Sequence, residues 1–97
     1  MLVTSWATIS SEVQRNVVAK QGLPQAQYHV GTDYYVGRLG ERDIEVAYAW
    51  FSAAAAQGHL TAIRAKNTVG AQFDPESLAS AQKLASVYYD SYVVPFQ

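Results

Sequence analysis

Two histidines and one carboxylate are the residues of this chain best suited to chemistry. His29 and Asp33 lie four positions apart, so on a helix they share a face, where the carboxylate could orient the imidazole or help to hold a metal ion. A metal site needs a third ligand, and no residue stands at a spacing that supplies one. His59 follows a glycine at a predicted helix junction, where we expect a structural role. We therefore predict neither a metal site nor catalytic residues, and keep a small hydrolase using His29 and Asp33 as an alternative.

The rest of the sequence lacks the motifs of the common enzyme classes. Without cysteine the chain has no disulfide, no thiolate nucleophile and no zinc–thiolate site. It also has no serine elbow, glycine-rich phosphate loop or paired-carboxylate motif. Seven basic residues against eight acidic ones give a net charge of −1, which is not the basic footprint of a nucleic-acid-binding protein. We predict a protein that is not an enzyme, needs no cofactor and binds no nucleic acid.

The length and hydropathy of the chain indicate one folded domain, residues 1–97. Hydrophobic residues make up 49% of the sequence, which is too many for a disordered chain. No apolar run approaches the roughly 18 residues of a membrane span, and no basic export signal opens the chain. We expect a cytoplasmic protein without membrane contact, or a periplasmic one if the sequence is a piece of an exported chain.

The sequence is rich in alanine, and its few glycines and prolines stand at the boundaries of segments. This composition favours helices. An apolar stripe at helical spacing marks a first helix within residues 1–22 and comprises Trp6, Ile9, Val13 and Val17. Further along, glycines end helices, Asp43 is placed to cap one, and Asp74-Pro75-Glu76 reads as a helix start. The remaining predicted helices are Pro24–Val36, Ile44–Gln57, His59–Ala71 and one from Pro75 to about residue 92, followed by an apolar tail at 93–97.

The chain resembles itself at an offset of 36 residues. Four identities carry this match, and they place Ala19, Gln21, Gly22 and Ala26 on Ala55, Gln57, Gly58 and Ala62. Both copies fall at a predicted helix–turn–helix junction. A period of 20–50 residues with two helices per unit is typical of an α-solenoid.

Residues 26–58 resemble a Sel-one-like repeat, a relative of the tetratricopeptide repeat. The residues that match the spacing of the family pattern are Ala26, Val30-Gly31, Tyr34, Gly37, Asp43, Ala47, Trp50-Phe51, Ala54-Ala55 and Gly58. The resemblance implies an all-α, right-handed α-α superhelix of about five antiparallel helices. It divides the chain into an N-terminal half repeat (1–22), a complete repeat (24–58) and a divergent closing helix pair (59–92) like that of bacterial members.

The periodicity and the resemblance also separate core from surface. We expect Val30, Tyr34, Trp50, Phe51 and Ala54 in the core, because an apolar stripe at helical spacing usually packs. Gly31 suits a close approach of two helices and Gly58 a chain reversal. Four charged residues in and after the predicted helix Pro24–Val36 are most simply interpreted as solvated; these are Asp33, Arg38, Glu41 and Arg42.

In related repeats the first helix of each hairpin lines a concave face that meets partners. The resemblance therefore implies a partner-binding face made of Gln25, Tyr28, Thr32, Tyr35, Thr61, Arg64 and Thr68. Tyrosine and arginine are favoured at binding hot spots, although an ordinary solvated helix face is the competing interpretation. We predict a protein–protein interaction module that acts as an adaptor or scaffold. An inhibitor or immunity protein that occludes a partner enzyme is the alternative.

More apolar surface is present than a chain of this size can cover. It lies at the two ends, in Trp6, Ile9 and Val13 and in Tyr92, Val94 and Phe96. Solenoids need polar end caps, and the N-terminal half unit offers an open apolar edge instead. We therefore expect self-association into a homo-oligomer, or docking against a further part of a longer chain.

Overall fold

A computed structural model describes residues 11–38 and 40–97, and within these ranges the regular structure consists of five α-helices and one short turn. The helices are α1 (Ser11–Lys20), α2 (Pro24–Val36), α3 (Ile44–Ala56), α4 (Leu60–Gly70) and α5 (Pro75–Tyr92), with a 3-10 turn at Val94–Phe96. No strand occurs in the described ranges, so the all-α class is confirmed. Among these same residues no helix combines the length and the apolar character needed to cross a membrane.

Side-chain caps begin the helices where the sequence predicts them. The carboxylate of Asp43 accepts a hydrogen bond from the backbone N–H of Val46 at 3.0 Å, and that of Asp74 accepts one from Ser77 at 2.7 Å. These oxygens satisfy N–H groups that the first turn of a helix leaves without an acceptor. Because the signal is local, the starts of α3 and α5 agree with the prediction.

The turn between α1 and α2 recurs between α3 and α4. The N–H of Gly22 donates to the Ala19 carbonyl at 3.1 Å, and the N–H of Gly58 donates to the Ala55 carbonyl at 2.9 Å. One residue later in each turn, the N–H reaches the carbonyl five positions back, at 3.3 and 3.2 Å. Both glycines have positive φ angles, +93° and +86°, a region that glycine enters at the lowest cost. The 36-residue offset therefore exists in the backbone geometry as well as in the sequence.

Helix α3 lies at the centre of the molecule and packs against α2, α4 and α5. One face of α3 joins Val69 of α4 and Ala81 of α5 in a buried cluster, and another face places Trp50 against the α1–α2 side. Four alanines of α3 have no exposed surface, which lets neighbouring helices approach closely; they are Ala47, Ala49, Ala53 and Ala54. Helices α4 and α5 are thus held chiefly by α3.

The predicted core is confirmed at all but one position. Val30 is fully buried, and Trp50 and Phe51 are 2% and 3% exposed, whereas Tyr34 is only half-buried. Gly31 allows the close approach of α2 and α3, since a Cβ atom there would lie 2.7 Å from the Phe51 ring. No larger residue fits this position without moving the ring.

The C-terminal tail folds back onto the α1–α2 turn. Val93 is 1% exposed, and the Phe96 side chain covers Gly22, where an added Cβ atom would lie 2.9 Å from it. Just before the tail, Tyr88 and Tyr92 pack on the Trp50 ring with centroid distances of 4.9 and 5.1 Å. The end of α5 is therefore part of the core that surrounds Trp50.

Candidate functional site

A groove of about 320 Å³ lies between α2 and α4. Near the start of both helices the Tyr28 ring stacks on the His59 ring, with centroids 5.1 Å apart. Near their ends the Gln72 amide donates a hydrogen bond to the Tyr35 hydroxyl at 2.8 Å. These two contacts show that α2 and α4 run in the same direction, so equivalent faces of the two helices meet across the groove.

The walls of this α2–α4 groove come from helical positions three, four or seven residues apart, which share a face. Six of the seven residues predicted to meet a partner line it, namely Tyr28, Thr32, Tyr35, Thr61, Arg64 and Thr68. Phe51 of α3 and the inner side of α4, Ala65 and Val69, complete the lining. The structure therefore brings the predicted face together as one concave surface, with Gln25 just outside it.

Gln25 bridges two histidines at the amino-terminal end of the groove. Its amide nitrogen lies 2.9 Å from His29 Nε2, and its amide oxygen lies 2.7 Å from His59 Nε2. His59 Nδ1 accepts the N–H of Ala62 at 3.1 Å and so caps α4, which places the ring proton on Nε2, facing Gln25. The predicted structural role of His59 is confirmed, and the ring also supports Tyr28.

Arg42 holds the other end of the groove. Its Nε donates to the Tyr35 carbonyl at 2.6 Å, and its guanidinium carbon lies 4.5 Å from the centre of the Tyr35 ring. A guanidinium at this distance from an aromatic face is attracted by the ring quadrupole. Arg42 is therefore exposed, as predicted for a solvated charge, and in addition holds Tyr35 in place.

The prediction that Asp33 is a solvated charge is wrong, because its side chain is only 1% exposed. One oxygen pairs with Arg15 of α1 at 3.1 Å and the other with Arg38, after α2, at 2.6 Å. A buried carboxylate requires such partners. Both oxygens are thus engaged by guanidinium groups, while His29 is exposed and bonded to Gln25. This arrangement differs from the His29–Asp33 pair that the hydrolase alternative needs.

A second depression, the α3–α5 cleft, has about 480 Å³ and no counterpart in the sequence predictions. Tyr48 and Ser52 of α3 form part of its lining, with Lys66 of α4 and Tyr89 and Asp90 of α5. The cleft exists because α4 and α5 pack mainly on α3. In the sequence its polar residues are indistinguishable from an ordinary solvated helix face.

The residues predicted to mediate self-association lie in different surroundings. Trp6 and Ile9 fall outside the described residues, and Val13 is 49% exposed. Val94 and Phe96 are 48% and 53% exposed. Tyr92, by contrast, is half-buried and stacks on Trp50, so its ring belongs to the core.

The pKa values that depart from their usual range belong to structural residues. Burial raises the pKa of the Tyr88 hydroxyl beside Trp50, and the charges of Tyr34, Tyr92 and Asp43 act in the same direction. Hydrogen bonds from Ser77 lower the pKa of the capping Asp74 carboxyl. Neither residue lines the α2–α4 groove.

No protein-family model matches this chain, and no curated protein matches it. Within residues 11–38 and 40–97, no group of three or more histidines and carboxylates is placed to hold a metal ion. The α2–α4 groove, and the fold that supports it, are therefore the features that indicate a function.

Proposed function

We propose that this chain is a protein–protein interaction module that holds a partner polypeptide in the α2–α4 groove. The observation that carries the proposal is the convergence of two tyrosines, three threonines and an arginine, from two separate helices, on one concave surface. Tyrosine and arginine combine a large contact area with a polar group, and both are enriched at the centres of protein interfaces. The groove thus offers a surface chemistry suited to a polypeptide.

The two tyrosines of the groove are fixed before any partner arrives. Tyr28 packs between His59 and Phe51, with ring centroids 5.1 and 5.7 Å away. Tyr35 is held by Gln72 at its hydroxyl and by Arg42 over its ring. Side chains already held in place lose little conformational freedom on binding, so more of the contact energy appears as affinity.

Two features support assignment to the Sel-one-like repeats and to their α-α superhelix, whose right-handed sense is what the resemblance implies. The same turn geometry recurs at an offset of 36 residues, and α2 runs in the same direction as α4. Stacked hairpins have both properties, because each hairpin repeats the path of the one before it. In such a stack the α2–α4 groove is the inner, concave surface. An adaptor or scaffold role follows from that geometry.

A groove-blocking substitution tests the proposal. Thr68 is exposed and lines the groove, so Thr68→Trp fills the space without disturbing the core. Ser80→Trp places the same side chain on an exposed position of α5 and serves as the matched control. We expect affinity capture from native lysate to recover a protein with the wild type and with Ser80→Trp, and to lose that protein with Thr68→Trp. All three chains should have the same circular dichroism and melting temperature, and retention by folded Thr68→Trp would refute the proposal.

A further inference from the structure

We infer that the polypeptide segment held in the α2–α4 groove is a short acidic one with a single large apolar side chain. This inference rests on the proposed function and names the class of partner. It depends on three properties of the groove, which are its charge, its floor and its length.

The charge of the groove is positive. Arg64 is the one charged residue among the nine that line it, and no carboxylate lines it. Within the described ranges, the recorded ion pairs involve Arg15, Arg38 and Asp33 and leave Arg64 without a carboxylate partner. Arg42 is outside this lining, with its guanidinium over the Tyr35 ring at one end of the groove. Because the whole chain has a net charge of −1, this positive character is local to the groove.

A guanidinium that lacks a carboxylate partner within its own chain is well suited to one from another chain. Its planar N–H groups match the two oxygens of an aspartate or glutamate, and such charge-assisted bonds are stronger than neutral ones. The α3–α5 cleft differs, since Lys66 and Asp90 there give no net preference for either sign. The charge argument therefore selects the α2–α4 groove and an acidic occupant.

The floor of the groove is apolar and therefore favours an apolar side chain of the partner. The Tyr28 and Phe51 rings lie with centroids 5.7 Å apart, and Ala65 and Val69 continue the apolar surface along α4. Phe51 and Val69 are each only 3% exposed, so the accessible part of this floor belongs to the half-buried Tyr28 and Ala65. A leucine or an aromatic side chain seated there would remove their apolar surface and its own from water. The Thr32 hydroxyl donates to the Tyr28 carbonyl at 3.1 Å and can only accept from a peptide, whereas the hydroxyls of Thr61 and Thr68 on α4 can donate to the peptide backbone.

The length of the groove limits the segment to a few residues. Tyr28 and Tyr35 mark its two ends, and seven residues of helix rise about 10 Å. An extended peptide covers that distance with about three residues. The apolar side chain and the acidic one should therefore stand within about three positions of each other in the partner.

Selection from a displayed library of random twelve-residue peptides tests this inference on the full chain. We expect enriched peptides to combine leucine or an aromatic residue with aspartate or glutamate within about three positions. A synthesised peptide, labelled with fluorescein, should bind with an affinity that falls as salt is raised, measured by fluorescence anisotropy. Thr68→Trp should abolish this binding, and Ser80→Trp should leave it unchanged.

A charge-matched pair of variants isolates the role of Arg64. We expect Arg64→Gln to weaken binding of the acidic peptide about two- to fivefold, as for an ion pair at a solvent-exposed position. Lys83→Gln removes an exposed positive charge from α5, outside the groove, and should leave the affinity unchanged. Replacing the peptide's acidic residue by its amide should cost about as much as Arg64→Gln, and the two changes together should cost no more than either one.

The outcomes separate this inference from the proposed function. Peptides without acidic residues, blocked by Thr68→Trp but indifferent to Arg64→Gln, would overturn the acidic partner and leave a peptide-binding groove. If no enriched peptide is sensitive to Thr68→Trp, both proposals fail. Binding of a labelled twelve-nucleotide single strand in place of peptides would also refute both.

Discussion

Gln27 is fully buried in a core of alanine, valine and aromatic side chains, and its amide is used in full. The amide nitrogen donates to the carbonyls of Ala19 and Tyr92, each at 3.0 Å, and the amide oxygen accepts from Gln57 at 2.9 Å. A buried amide is tolerated when its donors and acceptor are all satisfied. This one residue therefore joins the end of α1, the end of α3 and the end of α5.

Replacing Gln27 by leucine should destabilise the protein by about 1–2 kcal/mol, the penalty of leaving a buried polar group unpaired. The new side chain has a similar size, but it takes the partner from the Tyr92 carbonyl. The Ala19 carbonyl and the Gln57 amide each lose one hydrogen bond and keep another, to the N–H and the carbonyl of Gly22. Urea unfolding followed by circular dichroism measures the difference. Gln82→Leu, at an exposed position of α5, is the control and should change stability by less than about 0.5 kcal/mol. Equal midpoints for the two variants would contradict the role given to Gln27.

The second prediction at the residue scale concerns the stability of a Gly31 variant. In Gly31→Ala the new Cβ atom would lie 2.7 Å from the Phe51 ring and 3.3 Å from the Ala47 carbonyl oxygen, so the ring must move or α2 and α3 must separate. We expect a loss of about 1–3 kcal/mol in the free energy of unfolding, despite the better helix propensity of alanine.

The smaller side chain of Phe51→Leu makes room for that Cβ atom. The double variant should therefore be more stable than the sum of the two single losses predicts, and a double-mutant cycle in urea measures this coupling. Strict additivity would show that the Gly31–Phe51 contact does not set the helix spacing.

At the scale of elements, Asp74 makes the stability of the start of α5 depend on pH. Hydrogen bonds from the Ser77 backbone and side chain hold the pKa of this carboxyl below its ordinary value of 3.8. The stabilisation by the charged cap is therefore complete above the pKa of the unfolded chain, and it is lost as pH falls through the lower pKa of the folded state.

Asp74→Asn keeps a capping side chain but removes this titration. We expect the variant to show a shallower decrease of stability below about pH 4 than the wild type, because the cap no longer binds a proton on unfolding. Urea midpoints measured between pH 2 and pH 7 provide the test. Parallel curves for the two proteins across that range would rule out a titrating cap.

The helices themselves are largely predictable because their signals are local. Pro24, Asp43 and Pro75 stand beside the helix starts that they specify, and Gly58 ends its turn. Most of the groove is predictable for a related reason, since positions at helical spacing share a face once the two helices are placed side by side.

The burial of polar residues is not predictable from the sequence, because it depends on partners that are distant along the chain. Gln27 finds its acceptor on Tyr92, 65 positions along the chain, and Asp33 finds Arg15 at a separation of 18. Considered without these partners, a glutamine and an aspartate on a helix are most simply surface residues. The α3–α5 cleft escapes prediction in the same way, because only the seating of α4 and α5 on α3 creates it.

At the scale of the whole molecule, self-association stays a prediction, and the exposed apolar residues of the tail support it. Val94 and Phe96 are each about half exposed, and Phe96 lies against Gly22 of the α1–α2 turn, next to Leu23, which is 50% exposed. Adjacent apolar side chains of this kind favour association between copies. We expect Val94→Ser to shift the chain towards the monomer in light scattering at high concentration. Val87→Ser, at a 56% exposed position of α5, should have no such effect, and a wild type that is strictly monomeric would exclude this surface.

The central position of α3 determines the order in which the backbone opens. Since α3 contacts three other helices and contributes to both buried clusters, none of its interior amides can reach solvent unless much of the molecule unfolds. The turn at Val94–Phe96 can detach with far smaller losses. In deuterium exchange the amides of residues 48–55 should therefore be the last to be labelled and those of the tail the first, so that a rate read at α3 reports the global unfolding free energy.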